Sequence, residues 1–302
     1  MSHSAVVFAY HNVGVRCLKV LLAQGVDIRL VVTHTDNPSE TIWFESVVQL
    51  CRDYDIPYIT PEDVNQADYV AQIAACAPDF IFSFYYRNML KAPILAIPTR
   101  GAFNMHGSLL PKYRGRVPVN WAVIHGETET GATLHVMNEK PDNGAIVGQM
   151  AVPILPDDTA HEVFGKVTLA AEMTLARYLP DLLANCATLH PQNLALGAYF
   201  GGRKPEDGRI DWSQSALAVH NLVRAVSAPY PGAFTDTPQG RLILWKTRLS
   251  QKKTDAGPPA LLQIDQQWFA RCGDGVLLRI LSAELDGEAL STRHPASPVA
   301  LI

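Results

Sequence analysis

One short segment of the chain holds side chains whose types and spacing could carry acyl-transfer chemistry. Residues 101–116 read GAFNMHGSLLPKYRGR, and Asn104, His106 and Ser108 follow one another there at the end of a short apolar run. An amide N–H can stabilise a developing oxyanion, and an imidazole can carry a proton near neutral pH. Asp142 follows in a later turn, PDNG, and a carboxylate beside an imidazole raises the pKa of that imidazole. These residues predict an acyl-transfer site that needs no covalent intermediate.

The same side chains could instead serve only the backbone groups of a turn. Three observations favour the catalytic interpretation. The segment lies at the end of a predicted strand, where open α/β sheets place their ligands. A loop that begins with Ser-Leu-Leu-Pro and carries two cationic side chains, Arg114 and Arg116, follows directly. The carboxylate of Asp142 lies in a turn a plausible distance further along the chain, after a second apolar stretch.

Alternating strand and helix patterns predict the scaffold that positions these residues. Short apolar runs bounded by turns are typical of buried parallel strands, and spacing of three to four residues between apolar positions is typical of helices. Strands are expected at 5–9, 27–33, 57–59, 79–84, 101–104, 131–137 and 145–152. Helices are expected at 14–24, at 42–54, at 69–77 and, after a cap at 157–159, up to about residue 179. This alternation indicates an open, mostly parallel α/β sheet.

The pattern changes after about residue 187. Residues 199–208 form a polar connection rich in Gly and Pro, and residues 216–226 form a helix. Short β-like runs follow at 241–245, 268–270 and 276–280. Gly and Pro separate these runs, which favours a small β-rich domain shaped as a barrel. We therefore expect a catalytic domain at 1–188, a linker at 189–209 and a second domain at 210–302.

The composition is that of an ordinary globular protein and excludes several classes. The chain has 302 residues, of which 48% are hydrophobic and 18% charged. A net charge of -4 and a pI near 6.2 argue against a protein whose main task is to bind nucleic acid. Five scattered cysteines, an odd number without a CxxC pair, favour reduced thiols and a cytoplasmic location. No apolar stretch approaches the roughly 18 residues of a membrane span, so membrane insertion is not expected.

Motifs for other cofactors are missing from the sequence. The first strand–helix turn, YHNVG at 10–14, lacks GxGxxG, so no NAD site is expected. No GxxxxGK[ST] motif supports a phosphate-binding loop. His161-Glu162 is not followed by the second histidine that a zinc protease needs. We therefore expect neither a metal nor a nicotinamide cofactor.

The motif Asn104-x-His106, followed by Ser-Leu-Leu-Pro at 108–111 and by Asp142, resembles the 10-formyltetrahydrofolate-dependent formyltransferases. This family includes methionyl-tRNA formyltransferase, glycinamide ribonucleotide formyltransferase and sugar N-formyltransferases. The likeness continues through the stretches 126–131, 203–208, 211–212, 224–225 and 229–234. It implies an open Rossmann-like sheet domain followed by a small OB-like barrel.

The resemblance also implies a mechanism. A neutral amine would attack the formyl carbon of 10-formyltetrahydrofolate, the co-substrate. Asn104 would stabilise the formyl oxygen, His106 would act as the proton donor or as a second electrostatic stabiliser, and Asp142 would raise the pKa of His106.

Further site residues follow from the same resemblance. The folate-binding residues implied are Asn88, Met89, Leu90, Asn138, Glu139, Lys140, Pro141 and Asp142, largely through their backbone groups. The substrate-binding residues implied are Arg116, Tyr10 and Arg203. Ordinary core packing is the alternative for Met89 and Leu90, and a solvated loop arginine is the alternative for Arg116.

Within the family, three stretches resemble the enzymes that formylate UDP-4-amino-4-deoxy-L-arabinose for lipid A modification. These stretches are 7–11, 33–38 and 82–87. In those enzymes the formyltransferase is one half of a bifunctional protein, and the other half is an NAD-dependent decarboxylase. The present chain is expected to be either a stand-alone formyltransferase or an excised domain, without the oxidative activity.

Formylation of another amino sugar is one alternative, and three functions outside sugar modification also remain open at this point. Methionyl-tRNA formylation needs clustered cations for a polyanion, but residues 34–46 contain acids and no Lys or Arg. A non-catalytic folate- or nucleotide-binding module could use the same fold. Hydrolysis of the formyl group by water is the third. We expect a small nucleotide-sugar substrate and no nucleic-acid partner, and the sequence leaves the oligomeric state open.

Overall fold

The computed structural model describes residues 3–38, 40–254, 257–293 and 298–301. The described chain folds into two compact units. The first unit is formed by residues up to Pro118, by Glu129–Val152 and by Gly165–Gly201. The second is formed by Val119–Thr128, by Pro153–Phe164 and by the described residues from Gly202 onward. None of the described helices is long and apolar enough to cross a membrane.

The helices and strands alternate in the first part of the chain, whereas strands dominate the last part. The strands are β1 Ser4–Ala9, β2 Asp27–Val32, β3 Tyr58–Ile59, β4 Phe80–Phe84, β5 Ala102–His106, β6 Arg114–Gly115, β7 Glu129–Val136, β8 Ile146–Pro153, β9 Tyr199–Phe200, β10 Ala233–Thr237, β11 Gly240–Lys253, β12 Ala260–Ile264, β13 Gln267–Arg271, β14 Val276–Leu285, β15 Glu288–Ala289 and β16 Val299–Ala300. The α-helices are α1 His11–Ala23, α2 Val47–Asp53, α3 Ala67–Ala75, α4 Ala92–Leu95, α5 Pro118–Ile124, α6 Ala160–Leu183, α7 Ala216–Val226 and α8 Leu290–Arg293.

A mixed sheet forms the core of the first unit, in the order β3-β2-β1-β4-β5-β7-β8. Strands β3, β2, β1, β4 and β5 are parallel, and β7 runs antiparallel to β5. The central strand β4 is buried along its whole length, as its sequence FIFSF predicts. The carboxyl ends of β1, β4 and β5 therefore meet at one edge of the sheet. The predicted mixed α/β class is confirmed.

Most predicted elements differ from the observed ones by a few residues at their ends, and two of these differences have a clear physical reason. The helix expected at 42–54 begins only at Val47, because Ser46 is an extended N-cap whose Oγ accepts a hydrogen bond from the Gln49 N–H at 3.2 Å. The strand expected at 101–104 continues to His106, because its pairing with β7 extends to that residue. His106 thus lies on the strand itself.

An antiparallel sheet in the order β10-β11-β14-β13-β12-β16 dominates the second unit. Its pairs are antiparallel throughout, and buried Leu244, Leu278 and Phe269 contribute its apolar interior. Bulges interrupt the β11–β14 pairing, which increases the local twist and bends the sheet. The sheet is barrel-like and nearly closed, as predicted for this part of the chain.

Candidate active site

Strand β5 presents Asn104 and His106 on one face of the sheet, because alternate residues of a strand share a face. On the neighbouring β7, His135 lies opposite Asn104, and Thr133 lies opposite His106. Both site residues stand near the carboxyl end of β5, beside the end of the parallel strand β4. Open α/β sheets bind their ligands at this edge.

The His106 side chain is buried, and both of its ring nitrogens face acceptors. Nε2 lies 2.8 Å from the backbone carbonyl oxygen of Tyr113, and Nδ1 lies 3.5 Å from Oδ1 of Asp142. A carbonyl oxygen only accepts, so Nε2 must carry a proton. The Asp142 carboxylate faces Nδ1 on the other side of the ring. Each ring nitrogen of His106 therefore has an acceptor beside it.

Two other groups hold Asp142 in place. The Gly115 N–H donates to its Oδ2 at 2.8 Å. Nε2 of Gln192 donates to the Asp142 carbonyl oxygen at 3.0 Å and to the Gly144 carbonyl oxygen at 2.7 Å. Asp142 itself has φ 54°, in the left-handed region that non-glycine residues rarely adopt. The turn is thus fixed by contacts on both its main chain and its carboxylate.

The surroundings of Asp142 keep its carboxylate ionised. Burial raises the pKa of this carboxyl group, whereas attraction to His106 and the hydrogen bond from the Gly115 N–H lower it. The resulting pKa of Asp142 lies well below the ordinary aspartate value. A negative charge therefore stands beside His106 at neutral pH.

His135 links Asn104 to this carboxylate. Its Nε2 lies 3.1 Å from Nδ2 of Asn104 and 3.5 Å from Oδ1 of Asp142. Asn104, His106 and Asp142, which the sequence predicts as a catalytic set, are thus brought together around a second imidazole. The roles assigned to them stay predictions.

The sequence analysis did not identify His135, Gly115 or Gln192. The strand pattern at 131–137 places His135 on β7, but its position opposite Asn104 depends on the β5–β7 register, which no local pattern gives. Gly115 takes part through its backbone N–H, and Gln192 comes from a region predicted to be a linker. Alternation along β7 was the one signal that could have indicated His135.

The predicted folate-binding residues 88–90 are in three different environments. Nδ2 of Asn88 donates to the Glu62 carbonyl oxygen at 3.1 Å. The Met89 side chain is 53% exposed, so it is not a core residue. The Leu90 side chain is buried in the core, which leaves only its backbone for ligand contacts.

The segment leading to Asp142 is exposed. Glu139, Lys140 and Pro141 are exposed, and Oδ1 of Asn138 accepts a hydrogen bond from the Lys140 N–H at 3.0 Å. This short turn holds the backbone of the segment in a defined path. Folate binding by these residues and by residues 88–90 stays a prediction.

The predicted substrate-binding residues also differ in their surroundings. Tyr10 is buried, and its hydroxyl donates to Oδ1 of Asp36 at 2.8 Å. Burial and the Asp36 carboxylate raise the pKa of Tyr10 above its ordinary value, so the phenol stays neutral. The Arg116 side chain is exposed. Arg203, in the second unit, lies over the Trp121 ring at 4.8 Å and donates to the Asp207 carbonyl oxygen. Substrate binding by these three residues stays a prediction.

Gly115 supplies a prediction about the site. It has φ 99°, and an added Cβ would lie 2.2 Å from the Phe200 carbonyl oxygen. Gly115→Ala should cost roughly 1–3 kcal/mol of unfolding free energy and lower kcat, because the N–H that holds Asp142 moves. Urea unfolding and initial-rate measurements would check this. Gly165→Ala is the control, because a Cβ there meets nothing within 4 Å. An unchanged rate in Gly115→Ala would contradict the prediction.

Within the described ranges, no three His, Cys, Asp or Glu side chains are grouped so that they could hold a metal ion. The described cysteines are all free thiols.

Comparisons with known proteins agree with this fold. The N-formyltransferase from Helicobacter canadensis, solved with folinic acid and dTDP-3-aminofucose, is 20% identical, with a TM-score of 0.69 over 93% of this chain and 99% of that chain. WlaRD, a sugar 3N-formyl transferase solved with dTDP and 5-N-formyl-THF, is 19% identical, with a TM-score of 0.71 over 96% of this chain and 98% of that chain. A sugar N-formyltransferase from a Shewanella species is 21% identical, with a TM-score of 0.64 over 84% and 100%. At these identities the likeness shows a shared fold.

The family itself is shown by the sequence matches. Residues 13–179 match the family described as formyl transferase, and residues 203–294 match the formyl transferase C-terminal domain. The first match alone covers more than half of the chain. The chain is therefore a formyl-transferring enzyme that belongs to the formyl transferase family.

Proposed function

We propose that this enzyme transfers the formyl group of 10-formyltetrahydrofolate to the 4-amino group of UDP-4-amino-4-deoxy-L-arabinose, giving UDP-4-deoxy-4-formamido-L-arabinose. One observation carries the chemical part of the proposal. The ionised Asp142 carboxylate lies 3.5 Å from both His106 Nδ1 and His135 Nε2, while Asn104 shares a strand face with His106. An amide donor and a carboxylate-paired imidazole are what direct acyl transfer requires.

The chemistry follows from these positions. The neutral sugar amine attacks the formyl carbon, and negative charge builds on the formyl oxygen, which Nδ2–H of Asn104 stabilises. Asp142 stabilises positive charge on the His106 ring, which serves as the proton donor. The new C–N bond forms as the bond to the folate nitrogen breaks, and the proton lost by the amine replaces the formyl group on that nitrogen. His106 carries this proton between the two nitrogens.

The three stretches that suggest the arabinose subfamily converge in space. The Tyr10 and His34 rings lie 5.1 Å apart, and His34 stacks on Tyr86 at 4.2 Å. The Arg87 guanidinium lies 4.8 Å over the Tyr10 ring. This cluster stands where β1, β2 and β4 end. The convergence of distant stretches at one sheet edge supports a shared recognition surface for the acceptor.

The ligands bound to the structural neighbours support the same class of substrates. The Helicobacter canadensis enzyme was solved with a dTDP-amino sugar and a folate, and WlaRD with dTDP and a formyl-folate. For folate, the exposed Met89 side chain offers apolar surface for a pterin ring, and the exposed segment 138–141 offers backbone groups. We assign catalysis to residues 1–188, a linker to 189–209 and a second domain to 210–302.

An acceptor screen tests the proposal. With 10-formyltetrahydrofolate as donor, UDP-4-amino-4-deoxy-L-arabinose should be formylated, and charged initiator tRNA should not. The reason is charge: a UDP-sugar needs one or two cations, whereas tRNA needs an extended basic surface that residues 34–46 do not provide. Rising salt should weaken turnover only modestly, whereas polyanion binding falls by orders of magnitude.

The other outcomes of the screen are informative. Faster turnover of dTDP-amino sugars would keep the chemistry but reject the arabinose substrate. Efficient turnover of tRNA with every amino sugar inert would reject the sugar class. Formate release without any acceptor would indicate hydrolysis, and folate binding without turnover would indicate a binding module.

A further inference from the structure

His135 is buried beside the proposed catalytic residues but has no role in the mechanism above. It is 2% exposed, and the carbonyl oxygen of Val136 lies 2.9 Å from its Nδ1. Because a carbonyl oxygen only accepts, Nδ1 must carry a proton. In the neutral ring, Nε2 is then an acceptor.

The Nε2 atom of His135 has two neighbours that make opposite demands. Asn104 Nδ2, at 3.1 Å, can only donate to it, whereas the Asp142 carboxylate, at 3.5 Å, can only accept from it. A single nitrogen cannot do both at once. The shorter distance favours the hydrogen bond from Asn104, and the 3.5 Å separation exceeds that of an ordinary N–H···O bond.

The orientation of the Asn104 amide depends on this choice. If Nε2 accepts, Nδ2 faces His135 and uses one of its two N–H groups there, and the second N–H remains for the formyl oxygen. If Nε2 donates, the amide must turn over and place Oδ1 against His135. In the neutral ring, the Val136 carbonyl oxygen fixes the tautomer of His135, and that tautomer in turn fixes the orientation of the Asn104 amide.

We propose that His135 is a positioning residue: as the neutral Nδ1–H tautomer, it accepts one N–H of Asn104 and thereby holds the other in place for the developing oxyanion. This inference rests on the proposed formyl transfer. It adds a residue that does not touch the substrate but fixes the group that does. Misplacing a catalytic group by about 1 Å can cost roughly a hundredfold in rate.

Two substitutions of His135 distinguish the roles of its two ring nitrogens. The His135→Gln side chain places an oxygen near the Nε2 position and can still accept from Asn104, whereas His135→Asn reaches only the Nδ1 position. His135→Asn should lower kcat about 10- to 100-fold with little change in KM. His135→Gln should restore most of this loss. Thermal unfolding of both variants serves as the control for folding.

A merely structural role predicts a different result. Equal activity losses in both variants, matched by equal losses of thermal stability, would overturn the positioning role. Wild-type kcat in a folded His135→Asn variant would overturn it too. In an Asn104→Ala background, His135→Asn should have almost no further effect, because the group it positions is gone. Full additivity would contradict the proposal.

A spectroscopic measurement makes the hydrogen bond testable apart from the reaction. The ¹⁵N chemical shifts of the His135 ring in the full-length protein should show a protonated Nδ1 and an unprotonated Nε2. The Nε2 shift should change in Asn104→Ala. If both nitrogens carry protons, the proposal fails even if formyl transfer is confirmed. If no acceptor is formylated, the proposed function fails, and the ring shifts still decide whether His135 accepts from Asn104.

Discussion

Asn104→Ala is expected to lower kcat by about 10²- to 10³-fold, with KM nearly unchanged. A preorganised donor to a developing oxyanion is worth about 3–4 kcal/mol of transition-state stabilisation. Asn104 shares its face of β5 with His106, and its Nδ2 lies 3.1 Å from the His135 ring. Because the charge on the formyl oxygen exists only in the transition state, the loss should appear in kcat. Steady-state kinetics with a saturating acceptor would measure it.

The matched control is a substitution that removes a side-chain amide outside the candidate site. Gln72 is exposed on α3, and Gln72→Ala should leave both kcat and KM unchanged. Circular dichroism should show that Asn104→Ala keeps its fold, because the Asn104 position is only partly buried. A rise in KM alone would mean that Asn104 binds the ground state instead. Wild-type kcat would remove it from the mechanism.

The order of elements in the first unit was largely predictable because its parallel strands are short apolar runs. β1 and β4 are buried along their full length, so their sequences carry a strong signal. Helix α7 has the predicted bounds because Ser215 caps its start and a proline follows soon after its end. Helix α2 was predicted too long because apolar Ile42, Trp43 and Phe44 imitate a helical pattern. In the structure the rings of Trp43 and Phe44 join an aromatic cluster with His11.

The contacts within the site were less predictable. The residue types and spacing of Asn104 and His106, with the carboxylate of Asp142 in a later turn, indicated acyl-transfer chemistry, and the family resemblance implied a role for each residue. What supports that set comes from distant parts of the chain: β6 pairs with β9, and Gln192 reaches Asp142 from 50 residues away. Such pairings depend on tertiary packing and leave no periodic pattern. The β5–β7 register that places His135 opposite Asn104 also depends on tertiary packing.

The stability of the protein should depend on the ionised Asp142. Its pKa is lowered in the native state, so the carboxylate contributes stability that is complete above the pKa of an unfolded aspartate, about 3.9. That contribution is lost as the pH falls toward the lower native pKa. The unfolding free energies of wild type and Asp142→Asn should therefore differ most near neutral pH and converge in acid. Denaturant unfolding across pH would measure this, with the exposed Asp68→Asn as the control.

Asp142→Asn should raise the activation free energy of formyl transfer by more than it lowers the free energy of unfolding. The substitution keeps the shape of the side chain and an acceptor for the Gly115 N–H, and Asn tolerates the positive φ of this position. What it removes is the negative charge 3.5 Å from His106. Because proton transfer by a positioned group contributes about 10²- to 10⁴-fold, kcat should fall within that range.

The pH dependence of the variant separates this role from a structural one. Asp142→Asn removes the negative charge beside the ring that carries the proton, so the pH–rate profile of the variant should differ in position from that of the wild type. A slower enzyme whose profile keeps its position would mean that Asp142 only holds the turn. If the rate and the profile are both those of the wild type, the carboxylate has no part in catalysis. The expected result, a slower enzyme with a displaced profile, would tie the charge of Asp142 to the proton that His106 carries.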